Sequence, residues 1–177
     1  ILSAVLGFCQ EKGYSFYHKK SHEGLLRHLI IRYGVRTGEL LVNIVTSSQG
    51  EFDDKGFTEM ITALELDNRV VGVLRTVNDR LADAVYCEEL KVLWGRDYYM
   101  EKIMGLDFKV SAFSFFQTNV EAAERLYTEA IDLIDDFEDK NVFDLYCGTG
   151  TITQALALKA KTVTGVELVS EAVEAAK

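Results

Sequence analysis

The rhythm of apolar and polar positions changes near residue 112. Before it, short alternating or continuous apolar runs dominate. Residues 1–12 place Val5 and Phe8 on one face of a predicted helix. Leu25–Tyr33 and Leu40–Thr46 read as strands, joined by the hairpin connection Gly34-Val35-Arg36-Thr37-Gly38-Glu39. Phe57, Met60, Ile61 and Leu64 recur at helical spacing within 56–66, and Val70–Val77 is a further strand. Lys91–Trp94, Tyr98–Ile103 and Phe108–Ser111 suggest a meander of short strands. After the change, 119–137 repeats apolar residues on a single helical face, with Asn119 placed to cap it. A strand over Val142–Tyr146, a helix over Thr151–Ala160, a strand over Thr162–Val166 and a helix opening near Ser170 follow. The pattern predicts two domains. Residues 1–112 form an α+β domain with a mostly antiparallel sheet, and residues 113–177 open an α/β, Rossmann-like domain.

The chain has 177 residues, 48% of them apolar, enough for a packed core. No run of about 18 apolar residues crosses a membrane, and no basic-then-apolar leader is visible. Cys9, Cys87 and Cys147 are far apart and match neither a metal site nor a disulfide framework, so a reducing cytoplasm is the expected compartment. The chain reads as a fragment. It begins at Ile1 and ends at Lys177, inside an apparent helix just past the second parallel strand, and a doubly wound sheet needs more strands than that.

Charge adds one asymmetry. The net charge of −9 argues against a nucleic-acid partner, yet residues 1–36 carry six Lys and Arg against two acids, leaving −13 on the rest. That opening also holds His18, His22 and His28, with Tyr14, Phe16 and Tyr17 interleaved. A basic, aromatic-rich stretch points to a polyanion, and it equally describes a solvated face with ordinary strand aromatics.

The chemistry concentrates in Asp144-Leu145-Tyr146-Cys147-Gly148-Thr149-Gly150-Thr151. A strand, a glycine turn, a helix start, a second strand and a closing acid, Glu167, are the entry half of a nucleotide-binding βαβ unit. Glu167 follows Gly148 by 19 residues, near the ~20 expected of an acid that accepts ribose hydroxyls. The dinucleotide pattern fails, because Thr153 stands where its third glycine belongs, and no Gly-Lys-Ser/Thr makes a phosphate loop. Asp144 at the turn's entrance suits a cationic ligand better than a pyrophosphate. S-adenosyl-L-methionine, with a sulfonium, an ammonium and no phosphate, meets that demand. The alternative is a plain strand–turn–helix whose glycines serve packing alone.

Two motifs carry a family resemblance. Phe113-Ser114-Phe115-Phe116-Gln117-Thr118-Asn119 precedes the long helix, and the glycine turn follows about 25 residues later, ending at Gly165-Val166-Glu167. Together they resemble the RNA uracil-5-methyltransferases. Glu23-Gly24-Leu25-Leu26-Arg27-His28-Leu29 is similar to the start of that family's central-domain sheet. The resemblance implies a truncated class I methyltransferase fold preceded by an α+β central domain. It implies S-adenosyl-L-methionine as cofactor, contacted by Gln117, Tyr146, Gly148, Gly150, Thr151 and Glu167. It implies an RNA partner, ribosomal RNA (23S in the first place) or transfer RNA, with no DNA and no metal. Lys19, Lys20, Arg27 and Arg32 would meet phosphates, and Tyr17 would stack a base.

Uracil C5 is a poor nucleophile. The family adds a cysteine thiolate to C6, lets C5 attack the methyl, and removes the C5 proton with a base. The resemblance places that cysteine and that base beyond Lys177, so no catalytic residue is assigned here and the fragment alone is expected to be inactive. The competing readings are a class I methyltransferase acting on protein or a small molecule, and a non-catalytic RNA-binding module.

Overall fold

The computed structural model describes residues 1–82, 85–134 and 136–176, with only the backbone of residues 137 and 171. The chain divides by its contacts into two compact units.

The first unit comprises Ile1–Gly34, Gly38–Tyr99 and Ser111–Phe113. Its elements are α1 (Leu2–Glu11), β1 (Leu26–Tyr33), β2 (Glu39–Thr46), α2 (Asp54–Thr62), β3 (Arg69–Val77) and β4 (Glu89–Gly95), with sheet order β1-β2-β3-β4. The β1/β2 and β3/β4 pairings are antiparallel, so the sheet is mostly antiparallel as expected. The β2/β3 pairing is parallel, crossed over by α2. Every residue of β2 is buried. A central strand covered on both faces reads as the unbroken apolar run Leu40-Leu41-Val42, which does not reveal the direction of its neighbour. Asp53 caps α2 by accepting the Gly56 N–H at 2.8 Å, and α2 buries Phe57 and Ile61 completely. Phe8, Phe52 and Phe57 meet edge to face in the same core, which Val5 and Cys9 of α1 complete.

The expected three-strand meander is not formed. β4 joins the four-stranded sheet, while β5 (Tyr98–Ile103) and β6 (Leu106–Ser111) pair only with each other. The cause is local. Gly95 takes φ +69°, opposite Gly72 on β3, and the Arg96 carbonyl passes directly over Gly72. The chain thus leaves the sheet at Arg96, whose guanidinium holds the buried Glu39 and donates to the Tyr98 carbonyl.

The second unit comprises Val35–Thr37, Met100–Val110 and Ser114–Lys177. Glu101, 1% exposed, accepts the backbone N–H groups of Val35 and Arg36 and so ties those residues to β5. The unit continues with α3 (Val120–Asp132), a 3₁₀ turn (Phe137–Asp139), β7 (Asn141–Leu145), α4 (Thr151–Ala157), β8 (Thr162–Val166) and α5 (Ser170–Ala176). Asn119 caps α3 by accepting the Ala122 N–H at 3.0 Å. The helix ends at Asp132, five residues short of the periodicity's reach, and Asp136 beyond it adopts φ +53°. Its buried stripe is Val120, Ala123, Tyr127 and Ile131, while Leu126 and Ile134 face outward.

β7 and β8 are parallel, with Asp144 opposite Gly165 and Leu145 opposite Val166. Ile131, Ala155 and Leu156 pack with Val142 and Val163 on one face of this pair. On the other face Phe143, Leu145 and Val166 are exposed.

Candidate nucleotide-binding site

The site is built where β7 and β8 end side by side. After Leu145 the chain turns through Tyr146 at φ +65°, Gly148 at φ +56° and Gly150 at φ +79°, and Gly150 serves as the N-cap of α4. Tyr146 and Cys147 donate to the Val166 carbonyl at 2.8 and 3.1 Å, which pins the turn's first half to the neighbouring strand. The left-handed backbone explains the glycines. A Cβ on Gly148 would meet nothing within 4 Å, so that side of the turn is open. At Gly150 a Cβ would come within 3.1 Å of Ala176 on α5. Tyr146 is 85% exposed at the same mouth, and Thr151 is the first residue of α4.

Glu167 closes the opposite side. One carboxylate oxygen accepts the Gly148 N–H at 2.9 Å, and the other accepts those of Leu168 at 2.8 Å and Val169 at 2.9 Å. These backbone donors, that of Val169 first, then Gly148 and Leu168, hold the carboxyl below the ordinary glutamate range. A carboxylate has about four acceptor positions, so at least one is left for a ligand hydroxyl.

The sign of that shift sets a pH dependence. A carboxyl with a depressed folded pKa stabilises fully above its unfolded value of about 4.3, and the stabilisation is lost as pH falls through the lower folded value. In an NMR titration, the Gly148 amide is expected to hold its shift from pH 7 down to the ordinary glutamate range and to move only below it. A single step at or above that range would contradict the hydrogen-bonded arrangement.

Asp144 is half-buried, and one of its oxygens accepts the Thr153 hydroxyl at 2.6 Å, linking β7 to α4. Gly165 makes that possible, since a Cβ there would lie 2.8 Å from Cys147 Sγ and 3.2 Å from Thr153 Oγ1. Gln117 is half-buried before α3. Burial, ahead of the Asp144 charge, pushes the Tyr127 phenol up. Thus Tyr146, Gly148, Gly150, Thr151 and Glu167 gather at the two strand ends, whereas Gln117 lies in the segment before α3.

Sequence reasoning missed two members of this arrangement. Thr153 reads as a failed third glycine and Gly165 as an ordinary strand residue. Only the pairing of Asp144 with Gly165, set by strand register, assigns them their places.

A cleft of about 200 Å³ lies between α4, α5 and the strands, lined by Cys147, Thr153, Gln154, Gly165 and Val173 among others. It falls below the roughly 300–1,000 Å³ of ligand pockets, and neither Gln117 nor Glu167 lines it. It is a packing gap beneath the turn. Cys147 lines this gap, and its Sγ lies beside Gly165. Cys9 is buried, which pushes its thiol up, and Cys87 is exposed.

In the first unit, the Arg27 guanidinium donates to the carbonyls of Asn78 at 2.7 Å, Arg80 at 2.8 Å and Ala82 at 3.2 Å, and lies 4.1 Å over the Tyr17 ring. Arg32 Nε donates to the Ala112 carbonyl at 2.8 Å. Both arginines thus brace backbone, and one face of Tyr17 is covered. Lys19 and Lys20 are exposed.

Comparison with known proteins now decides the family. The pattern of the tRNA (Uracil-5-)-methyltransferase family matches residues 59–177, well over half the chain. The chain belongs to the tRNA (uracil-5-)-methyltransferase family.

Two curated relatives of this chain are named RNA methyltransferases. The one from Clostridium tetani is 49% identical over 177 residues, 100% of this chain and 39% of the relative. The one from Caldanaerobacter subterraneus subsp. tengcongensis is 50% identical over 178 residues, 99% of this chain and 39% of the relative. The chain therefore spans about two fifths of the length of the curated relatives it matches. Among solved structures, the tRNA (uracil-54, C5)-methyltransferase of Pyrococcus abyssi in complex with S-adenosyl-L-homocysteine is similar with a TM-score of 0.78 and 27% identity. That match covers 98% of this chain and 41% of the other. Among the described residues, no helix is long and apolar enough to cross a membrane.

Proposed function

We propose that the protein carrying this chain transfers a methyl group from S-adenosyl-L-methionine to C5 of uracil in RNA, and that residues 113–177 form the cofactor-binding half of its methyltransferase domain. The observation that carries this reading is the Glu167 carboxylate held against the Gly148 N–H at the mouth of the glycine turn. The residues fit the cofactor. Glu167 keeps an acceptor position for a ribose hydroxyl, the space beside Gly148 is open, and residues 144–151 include no Lys or Arg that would call for a phosphate. The Pyrococcus abyssi relative bound to S-adenosyl-L-homocysteine supports the same ligand.

The cofactor supplies an electrophilic methyl group on a sulfonium. This chain's residues bind and orient. Glu167 holds ribose, Gly148 and Gly150 let backbone approach the ligand, Tyr146 and Thr151 flank it, and Gln117 contacts it from the segment before α3. None of the three cysteines is proposed as nucleophile: Cys147 lies in the turn with its sulfur beside Gly165, Cys9 is buried, and the resemblance places the nucleophile beyond Lys177. Residues 1–112 are proposed as the central domain, with Lys19 and Lys20 the phosphate contacts that the geometry leaves most accessible. Arg27 and Arg32 would contribute only through donors not spent on carbonyls.

The family resemblance implies ribosomal RNA first and transfer RNA as the alternative, and the solved tRNA-modifying relative favours transfer RNA. One assay covers both. The whole protein is given ribosomal and transfer RNA transcripts carrying tritium at uracil C5, with the methyl donor labelled separately. Methylation at C5 expels that hydrogen, so release of tritium to water should match methyl incorporation one for one. Methyl incorporation without tritium release would place the methyl elsewhere and defeat the proposal.

A further inference from the structure

Two adjacent aromatic residues of the first unit share one loop and have opposite fates. Phe16 is bridged to Leu26, and in extended chain successive side chains point to opposite sides. Tyr17 is half-buried and committed. Its ring lies under the Arg27 guanidinium at 4.1 Å, and its phenol oxygen sits 3.3 Å from His22 Nδ1. That guanidinium is held in turn by the carbonyls of Asn78, Arg80 and Ala82. Turning Tyr17 onto a ligand would break this stack. Phe16 faces the other way and is 62% exposed.

The backbone beneath Phe16 is fixed. The Tyr17 N–H donates to the Leu26 carbonyl at 2.8 Å, and the His18 N–H to that of Glu23 at 2.7 Å. Gly24 passes so close that a Cβ on it would lie 2.3 Å from the Phe16 carbonyl oxygen. The Gln49 side chain closes the loop, accepting the Gly24 N–H at 3.0 Å and donating to the His22 carbonyl at 2.7 Å. A ring on a mobile loop must be ordered by whatever it binds, whereas a ring on this loop is already placed. Single exposed apolar side chains are ordinary by themselves. Here charge is added to rigidity. Lys19 and Lys20 are exposed on the same loop, and three residues of chain keep the Lys19 Cα within about 11 Å of that of Phe16. Residues 14–28 carry Lys19, Lys20 and Arg27 against Glu23 alone, in a chain of net charge −9. The loop is thus complementary to a polyanion although the chain as a whole is not.

We propose that Phe16 is a base-stacking residue for an unpaired stretch of RNA, with Lys19 and Lys20 on the phosphates beside that base. This rests on the reading of RNA as substrate and deepens it. The RNA is single-stranded where it meets this loop, and the stacking role falls to Phe16 while Tyr17 braces the loop from behind. Every base has a face on which an aromatic ring can stack, so the contact adds affinity for unpaired RNA without choosing its sequence. A base inside a duplex has its faces covered by its neighbours and offers the ring nothing.

The test uses the whole protein and a fluorescein-labelled RNA of mixed sequence, about 12 nucleotides long, alone and annealed to its complement. Binding is read by fluorescence anisotropy. Phe16→Ala should weaken single-strand binding by about tenfold, the loss of one stacked base. It should leave duplex binding and S-adenosyl-L-homocysteine affinity unchanged. Phe16→Tyr, which keeps the ring, should bind as wild type does. Lys19→Gln combined with Lys20→Gln should flatten the slope of log K against log salt by about 1.4, the share of two phosphate contacts on a single strand. Undiminished single-strand binding in Phe16→Ala, an equal loss on strand and duplex, or an unchanged salt slope would overturn the proposal and leave RNA as the substrate. Self-association that is lost in Phe16→Ala while RNA binding persists would give the loop to a second copy of the chain, and would overturn it too. Should the wild-type protein fail the tritium-release assay on both RNA substrates, the underlying reading falls and the proposal with it.

Discussion

Glu167→Ala in the whole protein is expected to weaken S-adenosyl-L-homocysteine binding by about a hundredfold, from the loss of charge-assisted hydrogen bonds to ribose. Two effects combine. The ribose hydroxyls lose their acceptor, and the Gly148, Leu168 and Val169 N–H groups lose the carboxylate that organises the mouth of the turn. Those backbone groups lie at the surface and can turn to water, so overall stability should change little. Glu167→Gln is the informative partner. It keeps one acceptor oxygen but loses the charge, and about a tenfold loss is expected. Titration calorimetry at pH 7 measures both. Wild-type affinity in Glu167→Ala would show that the cofactor is held elsewhere.

Gly72→Ala is expected to have the largest effect on stability. A Cβ at Gly72 would lie 1.9 Å from the Arg96 carbonyl oxygen and 2.7 Å from Leu41 Cδ1, and the first of these is backbone that cannot swing away. The chain must lift Arg96 off β3, which strains Gly95 at φ +69° and pulls on the Arg96–Glu39 ion pair. Overpacking of this kind costs about 3 kcal/mol, a large share of the 5–15 kcal/mol that holds a typical domain. Urea unfolding should show a lower midpoint with an unchanged slope. Gly7→Ala in α1 is the control with the opposite sign. Nothing lies within 4 Å of its Cβ, and helix propensity should add about 0.5–1 kcal/mol. A Gly72→Ala protein as stable as wild type would mean that the turn at Arg96 is not held as described.

How much was legible varied with the kind of information needed. Local periodicity located the helices and most strands, because one buried face leaves a period of 3.6 or 2 in the sequence. It misjudged the end of α3, because Ile134 keeps the helical apolar spacing beyond Asp132 although it is exposed. It assigned 91–111 to one meander, because three short strands in a row look alike whether or not they share a sheet. The glycine turn and Glu167 were legible for a different reason. A left-handed backbone needs glycine, and an acid that faces it must sit at the neighbouring strand's end, so spacing alone connects them.

What the amino-acid sequence determined by itself is the local chemistry: a turn that only glycines fit comfortably, an acid at a strand end, a cap at Asn119, and a helix with one apolar face. What only the tertiary structure decided is which distant groups meet. The parallel pairing of β2 with β3, the escape of the chain over Gly72, the commitment of Arg27 and Arg32 to backbone carbonyls, and the bond of Asp144 to Thr153 beside Gly165 all depend on strand order and register. Those are selected by burial summed over the whole core, a quantity that no short window of sequence contains.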